Sequence, residues 1–210
     1  IVKIISVVAG CILAMLLLPA HAQGNRFKPL AENEMTDAQK QAVKDMIGGL
    51  RGSFNWDGPN ALLLRSPELQ SRTQKVGEFL RYKSSIPHRL NEFAILVTAR
   101  QWNAQGEWIQ HHALAEKAGI PRAVIDDLAQ GKRPAGMKDD EELVYRFVKE
   151  LQETKTVSDA TFKAAREKFG EQGVIDLTGV TGYYTMLAMV LGVAGNPVPS
   201  GVTAPLPMLK

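Results

Sequence analysis

The chain has 210 residues, 45% hydrophobic and 22% charged, the balance of a globular domain and not of a disordered, fibrous or polytopic membrane chain. Lys and Arg number 25 against 22 acidic residues, a formal charge of +3 spread without long like-charge runs, so neither nucleic acid nor an anionic membrane is expected as a partner. Cys11 is the only cysteine, which excludes an internal disulfide, a thiolate zinc site and a CxxC redox pair.

Lys3 precedes a 15-residue apolar run, Ile4 to Leu18, followed by Pro19 and the small-residue site Ala20-His21-Ala22. This is the pattern of a secretory signal peptide over residues 1–22, cleaved after Ala22. The run is shorter than the roughly 20 apolar residues of a spanning helix. The expected mature chain, 23–210, is secreted or periplasmic, makes no membrane contact after cleavage, and without Lys3 carries a formal charge of +2 instead of +3.

The remainder reads as helices joined by short loops, with no alternating β-pattern. Thr36 precedes a helix from Asp37 to about Leu50, stopped by Gly48, Gly49 and Gly52. Ser66-Pro67-Glu68 opens another, to about Tyr82. Pro87 starts a third whose Ala94, Ile95, Val97, Thr98 and Ala99 make it apolar on most sides, so it should be buried. A fourth begins near Glu107 and stops at Gly119, with Pro121 beyond. Shorter helices follow at about Pro121–Gln130 and Asp139–Glu153. Ser158-Asp159 caps one that ends at Gly170, and the last, Gln172 to Val193, carries Leu177, Val180, Tyr184, Leu187 and Leu191 at helical spacing. Gly179 and Gly182 are expected to admit close helix packing. The tail from Asn196 holds Pro197, Pro199, Pro205 and Pro207 and is expected to run extended, wrapping a neighbouring subunit. The fold class is all-α, in a single domain.

Two stretches carry candidate chemistry: Pro87-His88-Arg89-Leu90-Asn91-Glu92, and Gln105-Gly106-Glu107-Trp108-Ile109-Gln110-His111-His112. Glu107 and His111, four apart, share one helix face, a carboxylate one turn before an imidazole. Such a pair orients the ring and suits proton transfer near neutral pH, although the same spacing also serves ordinary surface pairs. Glu92 sits on the apolar helix between Leu90-Asn91 and Phe93-Ala94, where a carboxylate is costly unless paired. His111 is its natural partner.

The stretch RLNEFAILVTARQWNAQGEWIQHHALAEKAGI resembles the carboxymuconolactone decarboxylase and alkylhydroperoxidase D-like superfamily, over roughly Phe27 to Pro199. The peroxidase branch follows E-x11-C-x2-C-x3-H. Its Glu falls on Glu92 and its His on His111, but its cysteines fall on Ala104 and Glu107, so thiol peroxidase activity is not expected. Glu107-Trp108-Ile109-Gln110-His111 and Gly182-Tyr183-Tyr184-Thr185-Met186 are similar to the cysteine-free, decarboxylase-like branch. The resemblance implies a helical bundle of the alkylhydroperoxidase D-like type, assembled as a trimer or hexamer. It also implies a cofactor-independent lyase that decarboxylates a small carboxylated lactone or organic acid. His111 would be the proton donor, Glu92 and Glu107 would orient and charge it, and Trp108 and Tyr184 would bind substrate.

Arg81, Arg89 and Arg100 can each hold a substrate carboxylate or stand as ordinary surface arginines. His112 points about 100° away from His111, toward solvent or a subunit contact. His88 and Glu92 form another i,i+4 pair, and with Glu107 and His111 invite a metal reading. The Glu-x-x-His spacing of helix-bundle metal sites is missing, so no metal is expected. The alternatives to a lyase are a non-catalytic small-molecule-binding or scaffold oligomer and a metal-dependent enzyme.

Overall fold

The computed structural model describes residues 25–208, so the expected leader and Cys11 lie outside the described residues. A 3-10 turn at Glu32–Glu34 precedes eight α-helices: α1 (Asp37–Gly48), α2 (Pro59–Leu63), α3 (Pro67–Tyr82), α4 (His88–Gln101), α5 (Gln105–Lys117), α6 (Arg122–Ala129), α7 (Asp139–Thr154) and α8 (Asp159–Val193). No strand occurs among the described residues.

The helix starts follow local chemistry. Thr36 and Gln39 form a reciprocal capping box, with Gln39 N–H donating to Thr36 Oγ1 at 3.3 Å and Thr36 N–H to Gln39 Oε1 at 2.9 Å. Ser158 accepts from Thr161 N–H at 3.3 Å and starts α8. Each such cap is worth about 1 kcal/mol. Ser66 makes no side-chain cap, and there Pro67 at the first helical position fixes the start. Gly170, at φ 71°, breaks the run within α8 where the sequence predicts a helix end.

α4 is the central helix, buried continuously from Leu90 to Arg100 and packed against α5, α7 and α8. Phe93, Ala94, Ile95 and Leu96 are fully inside the main core, which also takes Phe147, Leu177 and Leu191. The apolar composition of α8 is explained by this packing, since more than half of its most apolar stretch is buried. A second, smaller core of Met35, Ala42, Val43 and Leu64 holds α1 against the rest.

The α4–α5 corner positions the candidate residues Glu92, Glu107 and His111. Asn103 takes the left-handed conformation at φ 50°, and Ala104 N–H donates to Ala99 C=O at 2.8 Å, so the chain reverses within three residues. Asn196 Nδ2 donates to Asn103 C=O at 2.6 Å, and Arg100 Nη1 donates to Asn103 Oδ1 at 2.6 Å, clamping the corner. In such an antiparallel helical hairpin, residues at comparable distance either side of the turn face each other. Glu92 lies eleven residues before Asn103 and His111 eight after it.

Three features differ from the sequence expectations. The short helix α2 has no periodicity to betray it; Pro59 begins it and its Leu62 and Leu63 enter the main core. Gly179 does face a neighbour closely, its missing Cβ lying 3.1 Å from Leu80, but Gly182 faces open space. The proline tail docks on its own chain: Leu206 is buried, exchanging hydrogen bonds with Gln105 of 2.9 and 2.8 Å, and Arg100 donates to Pro207 C=O at 2.7 Å.

Candidate active site

The hairpin brings Glu92 and His111 together. His111 Nδ1 lies 2.6 Å from Glu92 Oε2, with both side chains buried. Burial alone would push the Glu92 carboxyl up. The His111 hydrogen bond, its charge and the charge of Arg81 outweigh that and hold it below the usual range. An ionised carboxylate only accepts, so the proton of the shared bond belongs to His111 Nδ1. The other ring nitrogen, Nε2, is thereby left free of that bond. It lies 3.5 Å from Glu107 Oε2, and His111 and Glu107 both line one cavity.

That cavity has a volume of about 240 Å³ and is lined mainly by polar groups. Glu107 is fully buried, and this desolvation pushes its carboxyl upward against the opposing charges of His111, Arg81 and Arg51. Two carboxyls flanking one imidazole are thus driven apart: Glu92 toward the ionised form and Glu107 toward the protonated one. Opposed environments of this kind separate proton carriers from fixed charges. Tyr184 closes the floor, its ring edge-on to His111 at 5.1 Å and 87°, with its hydroxyl pushed well above the ordinary phenol range by burial.

A second wall is made by Arg81 from α3 and by Arg51, Ser53 and Asn55 from the 49–58 loop, while Asn60 from α2 and Gln110 from α5 complete the lining. Arg51 Nε, Asn60 Oδ1, Arg81 Nε and Glu107 Oε1 are all buried without a hydrogen-bond partner. Buried polar atoms are normally satisfied, so a cluster of orphans around one cavity marks a place for a polar ligand or solvent.

Of the five residues singled out from sequence, His111, Glu92, Glu107 and Tyr184 converge. Trp108 does not reach the cavity: it is 3% exposed and packs in the main core, and its carbonyl accepts from His112 Nδ1 at 3.0 Å. Trp102 sits outside, donating its indole N–H to Gln152 Oε1 at 3.0 Å. Among the three candidate arginines only Arg81 faces the cavity. Arg89 is bound to Asp140 and Glu141, and Arg100 serves the corner and the tail. His88 is exposed at the start of α4. Among the described residues no three His, Cys, Asp or Glu side chains are disposed to hold a metal ion.

No family model, no curated protein and no solved structure matches the chain. The site therefore stands on its own geometry. Sequence reasoning missed Arg51 and Asn60. Neither belongs to a spaced motif; Arg51 follows a helix end, in the run Gly48-Gly49-Leu50-Arg51-Gly52 that reads only as a stop signal.

Proposed function

We propose that the protein is a cofactor-independent lyase that decarboxylates a small carboxylated lactone or organic acid, with His111 as the proton donor. The observation that carries this is the buried Glu92–His111 contact of 2.6 Å, with the second ring nitrogen directed at a cavity shared with Glu107 and Arg81. The motif likeness to the cysteine-free carboxymuconolactone decarboxylase branch supports the same reading, as does the all-α helical hairpin that carries the motif.

The chemistry follows from the charges. Arg81 holds one substrate carboxylate as a charge-assisted partner. The scissile carboxylate leaves as CO2, and its bonding electrons pass into a conjugated carbonyl as a dienolate. His111 Nε2–H then protonates the carbon, so one carboxylate and one proton become one C–H bond and CO2. Glu92 keeps the ring aimed through its bond to Nδ1. Glu107, biased toward its protonated form, returns a proton to Nε2 for the next turnover. The proposal places this reaction outside the cytoplasm, on the strength of the leader-like run. It places it in a homo-oligomer, for which the exposed Ile175, Met189 and Val193 of α8 offer an apolar face.

The test is CO2 release from 4-carboxymuconolactone and related unsaturated lactone acids, with His111→Ala beside the wild type. Turnover by wild type alone is the expected result. A folded wild type that releases no CO2 from any of them, or an equally active variant, sinks the reading.

A further inference from the structure

Helix α3 carries a glycine in its interior, where alanine would be favoured by about 1 kcal/mol. The reason is steric. A Cβ on Gly77 would collide with the Tyr183 hydroxyl and with Arg51 Nη2, the latter at 2.6 Å. Gly77 is therefore a notch over which the Arg51 guanidinium passes from the 49–58 loop to the cavity. Tyr183 stands behind it and does not line the cavity itself. Its buried hydroxyl lies beside Arg51, whose charge opposes the upward push of burial on the phenol.

Arg51 is placed with more care than a solvent-facing loop arginine requires, yet it has no ion-pair partner among the described residues. Arg81, facing the same cavity, also lacks a carboxylate partner among the described residues, since Glu92 is engaged by His111. Glu107 is the other acid there, and its burial disfavours the charged form. Two guanidiniums thus face one small cavity, and among the described residues neither forms an ion pair with a carboxylate.

We infer that Arg51, threaded over Gly77 and backed by Tyr183, is a second anion-binding residue of this cavity, so that its ligand carries two acid groups, one for each arginine. Arg51 is a binding residue and Tyr183 a positioning residue that keeps the guanidinium turned inward. The inference rests on the reading of the cavity as the substrate site, and adds to it what selects the substrate.

The test uses two probes of one carbon skeleton, muconate with two carboxylates and sorbate with one, titrated calorimetrically into wild type, Arg51→Gln, Tyr183→Phe and His111→Ala. Wild type is expected to prefer muconate by about tenfold or more, the worth of one charge-assisted pair. Arg51→Gln should bind muconate no better than sorbate. Tyr183→Phe should lower the preference while leaving the melting temperature unchanged, which a purely structural tyrosine would not do. Arg51→Lys keeps the charge and should keep part of the preference, so it serves if the glutamine variant fails to fold. A wild type that binds neither probe or shows no preference overturns the inference, and so does a preference that survives Arg51→Gln. If His111→Ala binds muconate normally while no variant or wild type releases CO2 from any acid, the lyase reading fails and the two-anion site stands.

Discussion

The two walls of the cavity are built differently. The wall of α4, α5 and α8 is anchored in the main core, with Phe93, Ile95 and Leu96 fully buried on the same helix as Glu92. The second wall, made by α3 and the 49–58 loop, reaches the main core through Leu80 but packs most closely on α1, which belongs to the smaller cluster of Met35, Ala42, Val43 and Leu64. The first wall holds Glu92 and His111 in a buried hydrogen bond. The second presents Arg51 and Arg81, which form no ion pair among the described residues. Chemistry needs a fixed geometry, whereas ligand entry needs a wall whose opening costs little, and the apolar burial behind each wall follows that division.

The largest expected effect lies on the first wall. Replacing His111 with Gln keeps a donor for Glu92 but removes the proton carrier, and CO2 release should fall by about 10²–10⁴-fold. A variant that retains a tenth of the wild-type rate would move the proton donor elsewhere.

The two carboxyls flanking His111 should then part company in stability. Glu92→Gln removes the carboxylate from a buried hydrogen bond and should cost about 1.5–3 kcal/mol in a urea melt at neutral pH. Glu107→Gln should be neutral or stabilising there. The signs follow from proton linkage. The Glu92 carboxyl is lowered on folding, so its contribution is fully present above the unfolded value near 4.5 and disappears as pH falls through the lower folded value. The Glu107 carboxyl is raised, so its contribution is present below 4.5 and is lost as pH climbs through the folded value. Glu92→Gln should therefore flatten the acid limb of the stability curve, and Glu107→Gln should raise the neutral limb. Equal destabilisation by both variants would contradict the opposed environments.

A smaller effect tests the second wall. Gly77→Ala gains helix propensity but overpacks the notch against Tyr183 and Arg51, and should cost about 1–3 kcal/mol net. A stabilised Gly77→Ala would mean that Arg51 yields without strain and is not fixed by the notch.

The first wall was largely legible in the sequence, because helical spacing and the cost of an unpaired buried carboxylate both concern residues whose neighbours repeat along the chain. Glu92, Glu107 and His111 announce themselves by periodicity and by an acid in an apolar run. The corner that joins them was not: Asn103 and Asn196 act through left-handed backbone and a contact across 93 positions. Trp108 was misplaced for a related reason. Adjacent positions on a helix point about 100° apart, and which one enters a cavity depends on the partner helix, not on the motif. Arg51 and Gly77 carry no local signal at all, since their relation exists only where α3 passes the loop. What is readable from sequence lies on helix faces, Arg81 of α3 included, and what is not is the loop arginine that crosses Gly77.

The smallest predicted effect separates an interior glycine that is needed from one that is not. Gly182 lies within α8, is exposed, and has nothing within 4 Å of where a Cβ would stand. Gly182→Ala should therefore stabilise an isolated chain by about 0.5–1 kcal/mol through backbone entropy alone, measured as a shift in the urea midpoint at unchanged slope. The exposed Ile175 and Met189 lie seven residues either side of it, on the same face of the helix. If copies of the chain pack across this face through the space at Gly182, the added methyl group should weaken the assembly in light scattering while the monomer is stabilised. A stabilised variant of unchanged assembly state would leave Gly182 as a solvent-facing glycine and move the subunit contact elsewhere, whereas loss of assembly would place that contact along α8, away from both walls of the cavity.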